Sequence, residues 1–432
     1  MFLADEGLEE SETVYQVSPT INLTKESERV NANITYAPQA LFYEDTTDAD
    51  EVYHVLDAAL NTVLLRDRFF LDFSAVNFQI VDAAENRFPT SNIPITTRRT
   101  DTAIWSVTPR WQERIGPAQM LAQGTFRQTN FDEFGTLGTL DSDEKSGMLQ
   151  FNNLHQNEGV SWALRYQYMR LDYDGEALPW EYQQASAELG YWIGAGLRIF
   201  GSGGVETPFD AFLEPDMKDT FWEAGFAYNP DERLELEIAA GERSFGTSLR
   251  GRLAYEMRRG RTELTYSENP STQNNALSGR RPIQQTDNLD DFLARIDNNN
   301  KFVRKRAEWL NSIELNKTSI TLRLFNEERE ETFTLEGDPR PDESYRGAAL
   351  RIDWDAGARL SLGLTGDIAD RDRGGSEEEL TRFGVDASYR LSRRFTLTAR
   401  AQRSEAESQG GGFGFRNYTE NQYQLILRTE IL

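Results

Sequence analysis

Apolar and polar residues alternate with a period of two along most of the chain. In the stretch LELEIAAG, Leu234, Leu236 and Ile238 alternate with Glu235 and Glu237. Successive side chains of a β-strand point to opposite faces, so this spacing predicts a strand with one apolar and one polar face. The same alternation recurs at 30–42, 103–111, 160–168, 360–368, 383–391 and 395–401. The pattern predicts an all-β chain.

The lengths of the segments and of their connections narrow the fold class. The segments run to about 10–14 residues, which suits a tilted crossing of a bilayer better than a soluble strand of about 5–6. Short connections are expected at 26–29, 65–68, 114–118, 157–159, 193–196, 229–232, 258–261, 316–318, 355–359 and 391–394. Longer ones alternate with them at 44–51, 79–99, 131–142, 206–217, 269–304, 327–344, 370–378 and 404–416, while those near 174–179 and 243–247 are shorter than this order expects.

Short turns at one end and long loops at the other are typical of an outer-membrane barrel. The sequence therefore predicts a transmembrane antiparallel up-and-down β-barrel of about 20–22 strands, with short periplasmic turns and longer extracellular loops. A soluble all-β binding protein is the alternative fold. We expect residues 1–12 to form an N-terminal segment and residues 13–432 to form a single outer-membrane barrel domain.

The direction of the terminal strands bears on what precedes the sequence. With short turns in the periplasm, the segments 15–24 and 416–431 both run inward. Single-chain bacterial barrels usually have an even strand number, so one more strand is expected upstream of Met1. The opening FLADEGLEESE has neither a basic nor a long apolar region, so an export signal is also expected upstream.

Composition excludes several other classes. Aromatic residues make up 11% of the chain, which is too many for simple disorder. No apolar run approaches the ~18 residues of a membrane helix. The chain has no cysteine and therefore no disulfide, thiolate metal site or cysteine nucleophile. A net charge of −25 argues against a nucleic-acid partner, which needs a basic surface.

Charged residues on the polar face of the strands are the candidate lumen lining. They are Glu235, Glu237, Arg351, Asp353 and Arg400, each placed between apolar neighbours that would face lipid. Mixed charges of this kind either line a wet, cation-tolerant passage or pair across strands and partly fill it.

Aromatic residues near strand ends are candidates for the girdles at the two membrane interfaces. The candidates are Trp105, Trp111, Trp162, Trp192, Trp222 and Tyr228. Stacking on sugars is the alternative role for these rings.

The sequence gives no support for an enzyme. Barrel hydrolases generally need a histidine base, and the two histidines, His54 and His155, have no nucleophile motif beside them. Carboxylate pairs are abundant enough to arise by chance. The acidic segments 44–51 and 374–380 do not match a calcium-binding loop and are expected to be solvated. We expect no catalytic residue, cofactor or metal site.

Three stretches resemble a known family. YQVSPTINLT, RVNANITYAPQALFYED and VYHVLDAALNTVLLRDRFFLDFSA resemble the N-terminal half of the outer-membrane barrels associated with exosortase/PEP-CTERM systems. The final YTENQYQLILRTEIL is similar to the closing strand of that family. The resemblance implies an outer-membrane protein linked to exopolysaccharide and surface-protein loci, with one strand before the VSP segment and no catalytic residues.

The predicted activity is passive. We expect a pore or conduit in the bacterial outer membrane, with lipid around it and a small solute, a polysaccharide or a protein as its partner. The alternative is a non-conducting barrel that binds a partner through its loops and lumen. The long loop 269–304 could fold inward as a plug or remain disordered.

Overall fold

The computed structural model describes residues 12–66, 68–81, 99–132, 141–153, 159–174, 179–194, 196–207, 219–272, 301–331, 342–373, 376–409 and 417–429. Within these ranges there is one short 3-10 helix, η1 (Thr47–Ala49), and otherwise strands, turns and extended chain. The strands are β1 (Val14–Val17), β2 (Ile21–Glu26), β3 (Val30–Tyr36), β4 (Gln39–Tyr43), β5 (Glu51–Tyr53), β6 (Leu56–Leu65), β7 (Phe69–Val81), β8 (Arg99–Ile115), β9 (Ala118–Phe131), β10 (Ser142–Asn153), β11 (Val160–Tyr173), β12 (Trp180–Ile193), β13 (Leu197–Glu206), β14 (Thr220–Asp231), β15 (Leu234–Arg243), β16 (Gly246–Met257), β17 (Gly260–Thr272), β18 (Lys301–Glu314), β19 (Thr318–Glu331), β20 (Glu343–Asp355), β21 (Leu360–Arg373), β22 (Ser376–Arg390), β23 (Phe395–Gln409) and β24 (Tyr418–Thr429).

Twenty-one of these strands form one continuous up-and-down sheet with barrel topology, from β2 to β24. Each pairs antiparallel with the next barrel strand in the chain, from β2 and β3 through to β23 and β24. The registers are long and regular; β20 and β21, for example, pair without a break from Glu343 opposite Arg373 to Asp355 opposite Ser361. The predicted up-and-down barrel of about 20–22 strands is confirmed, and the upstream strand remains a prediction.

The first part of the chain departs from the predicted strands at its prolines. The segment 15–24 divides at Pro19 into β1 and β2, and the segment 30–42 divides at Pro38 into β3 and β4. Proline has no N–H to donate, and Ala37 just before Pro38 donates instead to the carbonyl of Val55. The short strands β1, β4 and β5 form a separate three-stranded sheet, where a single continuous barrel had been expected.

The connections alternate as predicted, with one exception. The turns after β2, β6, β8, β12, β14, β16, β18, β20 and β22 are short and share the end that we call the lower end. The tight turn after β12 requires a glycine at position 196, because its φ is +91° and a Cβ would lie 2.4 Å from the Asn229 carbonyl oxygen. At the upper end, the expected long connection 370–378 is absent, since β21 continues to Arg373 and β22 begins at Ser376.

The two faces of the barrel wall have opposite character. Large apolar side chains are exposed on the outer face, including Leu425 at 73%, Leu189 at 64% and Ile368 at 51%. In β21 this outer belt runs from Leu360 to Ile368. At about 3.4 Å per residue and a tilt near 40°, it covers roughly 21 Å, close to the ~25 Å apolar band of a membrane barrel. Within the described part of the chain, no helix is long and apolar enough to cross a membrane.

The outer belt makes a direct prediction at two adjacent positions of β17. Leu264 is 47% exposed and lies in the belt, whereas Thr265 faces inward between Arg252 and Glu308. We expect Leu264→Arg to cost about 2–4 kcal/mol, because it places a charge in hydrocarbon near the bilayer midplane. Thr265→Arg is the matched control and should fold normally. Urea titration in lipid vesicles, followed by tryptophan fluorescence, measures both; equal loss in the two variants would contradict the assignment of faces.

Candidate functional site

The inner face of the lower half carries a series of ion pairs between neighbouring strands, which we call the lower ladder. Its members are Glu188, Arg198, Glu223, Glu235, Glu237, Arg250, Arg252, Glu256, Arg261 and Glu263. They are brought together because consecutive strands are paired and every second residue points inward. Charges of opposite sign alternate around this part of the wall.

Glu235 and Glu237 both belong to the lower ladder. Glu235 accepts a hydrogen bond from Arg252 Nη1 at 3.0 Å, and Glu237 pairs with Arg250. Arg252 also donates to Glu263 Oε1 at 2.9 Å, so each arginine here links more than one strand. Side-chain exposures of 48% for Glu235 and 42% for Arg252 leave this pair open to water.

The other lumen candidates lie farther round the wall. Arg351 and Asp353 pair within β20, with Nε to Oδ2 at 2.7 Å and Nη2 to Oδ1 at 2.8 Å. Arg400 lies opposite Asp386 in the register of β22 and β23. Among the described residues no ion pair includes Arg400. These three residues are separate from the lower ladder, so the structure does not gather the five candidates into one site.

The upper half of the inner face holds a second network, which we call the upper cluster. At its centre is Glu327, whose side chain is completely buried. It accepts hydrogen bonds from Arg304 Nε at 2.8 Å, Arg306 Nη1 at 2.9 Å and Arg329 Nε at 2.8 Å. Glu308 extends the network by accepting from Arg306 at 2.6 Å and from Arg323 at 3.0 Å. One buried carboxylate thus holds three arginines.

A tyrosine continues the upper cluster toward β21 and β22. The Tyr345 hydroxyl donates to Glu343 Oε2 at 2.6 Å and accepts from Arg329 Nη1 at 3.3 Å. Glu343 also accepts from Arg371 Nη2 at 2.8 Å. The Arg329 guanidinium lies over the Tyr345 ring, 4.4 Å from its centroid. Arg371 in turn approaches Glu378 at 3.7 Å, so the network crosses five adjacent strands.

A smaller buried group lies at the upper end of β12 to β15. Glu206 accepts from Arg243 Nη2 at 2.7 Å, from the Tyr182 hydroxyl at 3.1 Å and from the Ser244 backbone N–H at 2.8 Å. The side chain of Glu206 is completely buried. Arg243 also donates to Asn269 at 3.4 Å, which connects β15 with β17. Buried carboxylates at the upper end are therefore paired with arginines in both groups, around Glu327 and around Glu206.

The candidate girdle residues divide between the two faces. Trp105, Trp111, Trp162, Trp222 and Tyr228 share the outer face with their apolar neighbours. Trp192 lies opposite Arg198 instead, on the inner face with Glu188. The structure corrects that assignment: the outer positions of this strand are Leu189, Tyr191 and Ile193, one residue out of step with Trp192.

The remaining candidates give no catalytic arrangement. His54 Nδ1 lies 2.7 Å from the Tyr36 hydroxyl, and the two rings stack with centroids 6.1 Å apart. No group of metal ligands is present in the part of the chain that the structure describes. His155 and most of the loop 269–304 lie outside the described residues. That the chain is not an enzyme stays a prediction.

The sequence did not reveal the upper cluster. Its acids and bases alternate with outer residues such as Leu324 in the same way as the lower charges do. The signal was therefore present as charge at inward positions of β18 to β22. The sequence did not give the register between strands, which pairs Glu327 with Arg304 and Arg306 although they are 23 and 21 residues apart along the chain.

Glu327 and Glu235 provide a matched test of buried against exposed pairing. We expect Glu327→Gln to destabilise the barrel by about 3–5 kcal/mol, because the buried Arg329 and the partly buried Arg304 and Arg306 lose their shared counter-charge. Glu235→Gln removes an exposed partner and should cost about 1 kcal/mol or less. Heat-modifiable gel migration and urea unfolding in detergent measure the difference. Equal stability of the two variants would show that the upper cluster is solvated.

Comparisons with known proteins give similarities of structure only. No protein-family model matches the sequence, and no curated protein matches it either. The siderophore receptor PirA from Pseudomonas aeruginosa is similar at 14% identity and a TM-score of 0.41, over 92% of this chain and 76% of that one. A mutant of the ferric enterobactin receptor PfeA from the same organism, in complex with enterobactin, is similar at 13% identity and a TM-score of 0.48, over 96% of this chain and 78% of that one. The ferric yersiniabactin uptake receptor FyuA from Yersinia pestis is similar at 10% identity and a TM-score of 0.40, over 98% of this chain and 78% of that one.

The cellular location follows from the barrel itself. The barrel sheet pairs its backbone groups strand to strand from β2 to β24, and its outer belt is apolar. Short turns at one end and longer connections at the other are the architecture of bacterial outer-membrane proteins. The protein is an outer-membrane β-barrel; in barrels of this kind the end with short turns lies in the periplasm and the end with long loops lies outside the cell.

Proposed function

We propose that this protein is a conduit for polar solutes across the bacterial outer membrane. The observation that carries the proposal is the charged inner face of a 21-stranded barrel, set against an apolar outer face. Barrels of 16–18 strands already leave an aqueous channel, so this wall encloses room for a sizeable solute.

The exposure of the inner charges supports a wet lower lumen. Glu235, Arg252 and Asp353 have side-chain exposures of 48%, 42% and 42%. Side chains on the inner wall can be this exposed only if water reaches them. The lower half of the lumen therefore offers a hydrated surface of mixed charge to a passing solute.

A second function, a non-conducting barrel that binds a partner, has its own support in the upper cluster. Glu327 and Arg371 have side-chain exposures of 0% and 2%. Buried charge at this level is what a narrowed or closed upper lumen would produce. In this alternative the loops and the upper inner face hold a partner, and no solute crosses.

Planar-bilayer recording separates the two functions. A conduit should give stepwise conductance when the folded barrel inserts. A variant in which a short glycine-serine turn replaces residues 273–300 tests whether that segment blocks the current, because loops of this length fold into many barrels as a plug. Absence of current from well-folded protein, both with and without this segment, would refute the conduit and favour the binding barrel.

Ion selectivity then tests whether the lower ladder lines the path. In the double variant Glu235→Gln and Glu237→Gln, Arg252 and Arg250 each lose one counter-charge. We expect the cation-to-anion permeability ratio to fall roughly two- to five-fold, which corresponds to ~0.5–1 kcal/mol for partly screened charges. Reversal potentials in a potassium chloride gradient measure it. The control, Arg250→Gln with Arg252→Gln, should raise the permeability ratio. If neither double variant changes the ratio, the ions do not pass along the lower ladder.

The solute that we propose is a polysaccharide or an exported surface protein, in line with the resemblance to exosortase/PEP-CTERM-associated barrels. Oligosaccharide fragments added on the periplasmic side should then interrupt the current in a length-dependent way. If the barrel conducts ions but no oligosaccharide interrupts the current, the conduit is supported and a polysaccharide as its solute is refuted.

A further inference from the structure

Four arginines line one small cavity at the lower end of the last three strands. Arg390 ends β22, Arg428 lies near the end of β24, and Arg393 and Arg394 form the turn between β22 and β23. Together with Thr396 they enclose about 230 Å³. We call this cavity the rim pocket. It faces the periplasm.

The register places the lumen-facing part of the rim pocket in one row. Thr396 lies directly opposite Arg390 on one side and Arg428 on the other. Two strand spacings therefore separate the two arginines, which is about 10 Å between their backbones. A threonine hydroxyl sits between them as an additional donor. The row forms the floor of a site with positive charge on both sides.

The turn below this row, at the lower end of β22 and β23, is held in a fixed shape. The Ser392 hydroxyl oxygen accepts hydrogen bonds from the backbone N–H of Arg394 at 3.2 Å and of Phe395 at 3.3 Å. The N–H of Leu391 and of Ser392 both donate to the Phe395 carbonyl. These bonds define the turn that carries Arg393 and Arg394, so the two side chains are presented at the cavity at little further cost in backbone entropy.

The rim pocket differs in its pairing from the lower ladder and the upper cluster. Arginines of the lower ladder and the upper cluster all contact carboxylates, as Arg252 contacts Glu235 and Glu263. Among the described residues, no carboxylate forms an ion pair with Arg390, Arg393, Arg394 or Arg428. In a chain with a net charge of −25, four such arginines around one cavity mark a place where an external anion supplies the missing charge.

The distribution of charge between the two ends favours anions at this mouth. In the connections at the upper end, acidic residues outnumber basic ones by more than two to one. In the turns at the lower end, basic residues outnumber acidic ones by a similar ratio. Such a field raises the local concentration of anions at the periplasmic mouth and repels them from the outer one.

We propose that the rim pocket binds a phosphate group from the periplasmic side. Guanidinium groups recognise phosphate oxygens in a bidentate manner, and four of them with a hydroxyl match a multivalent phosphate better than a single carboxylate. The phosphate comes either from a soluble phosphorylated compound or from the headgroup of an anionic phospholipid in the inner leaflet. Binding does not require that the lumen conduct, so the site stands apart from the proposed conduit.

Two probes distinguish the sources of the phosphate. Isothermal titration of the detergent-solubilised barrel with inorganic pyrophosphate tests a soluble ligand. Native mass spectrometry after extraction from vesicles of phosphatidylethanolamine and phosphatidylglycerol tests a retained headgroup. We expect the double variant Arg390→Gln with Arg428→Gln to weaken the binding that wild type shows by about tenfold or more, because two charge-assisted contacts are lost.

The matched control is Arg258→Gln with Arg259→Gln. It removes the same charge from another exposed turn at the same end, between β16 and β17, without touching the rim pocket. This control should change binding less than about twofold. Heat-modifiable migration verifies that each variant is folded; if the Arg390 and Arg428 variant is not, Arg393→Gln with Arg394→Gln in the exposed turn replaces it. Absence of binding to both probes, or an equal loss in the control, would overturn the site.

Discussion

The structure depends on one constraint: a backbone N–H or C=O in hydrocarbon must have a partner within the protein. Each unpaired group costs several kcal/mol, and an open sheet has a whole row of them at each edge. From β2 to β24 the barrel sheet meets this constraint by pairing each strand with the next barrel strand, with registers as long as that of β20 and β21. Long strands, short lower turns and the apolar outer belt are all consequences of crossing lipid in this way.

The same wall sets the chemistry of the interior. Because successive residues alternate between faces, a strand with an apolar outer face toward lipid also places about half of its side chains in the lumen. Where water enters, as at Glu235 and Arg252, ion pairs are exposed and contribute little stability. Where it does not, as at Glu327, charge must be matched almost completely, and three arginines converge on one carboxylate. The inner charges named here are therefore more exposed in the lower half of the barrel than in the upper half.

The alternation in the sequence predicted the fold and the faces of most strands, because a period of two directly reports a wall between lipid and a polar interior. It predicted Glu235 and Glu237 at inward positions for the same reason, although not their partners. Trp192 was misplaced because an aromatic near a strand end was assigned by residue type rather than by its parity with Leu189 and Tyr191. The upper cluster and the rim pocket depend on register between strands, which a single sequence does not encode locally.

The convergence on Glu327 has a consequence for how this protein can change over time. Loss of the carboxylate alone leaves three guanidinium groups without their shared counter-charge, and loss of one arginine removes a hydrogen-bond donor from a completely buried carboxylate. Joint replacement by apolar residues of similar volume carries no such penalty. Descendants of this chain should therefore keep the four residues together or exchange them as a set, so that positions 304, 306, 327 and 329 vary in concert across lineages while the lower ladder drifts residue by residue.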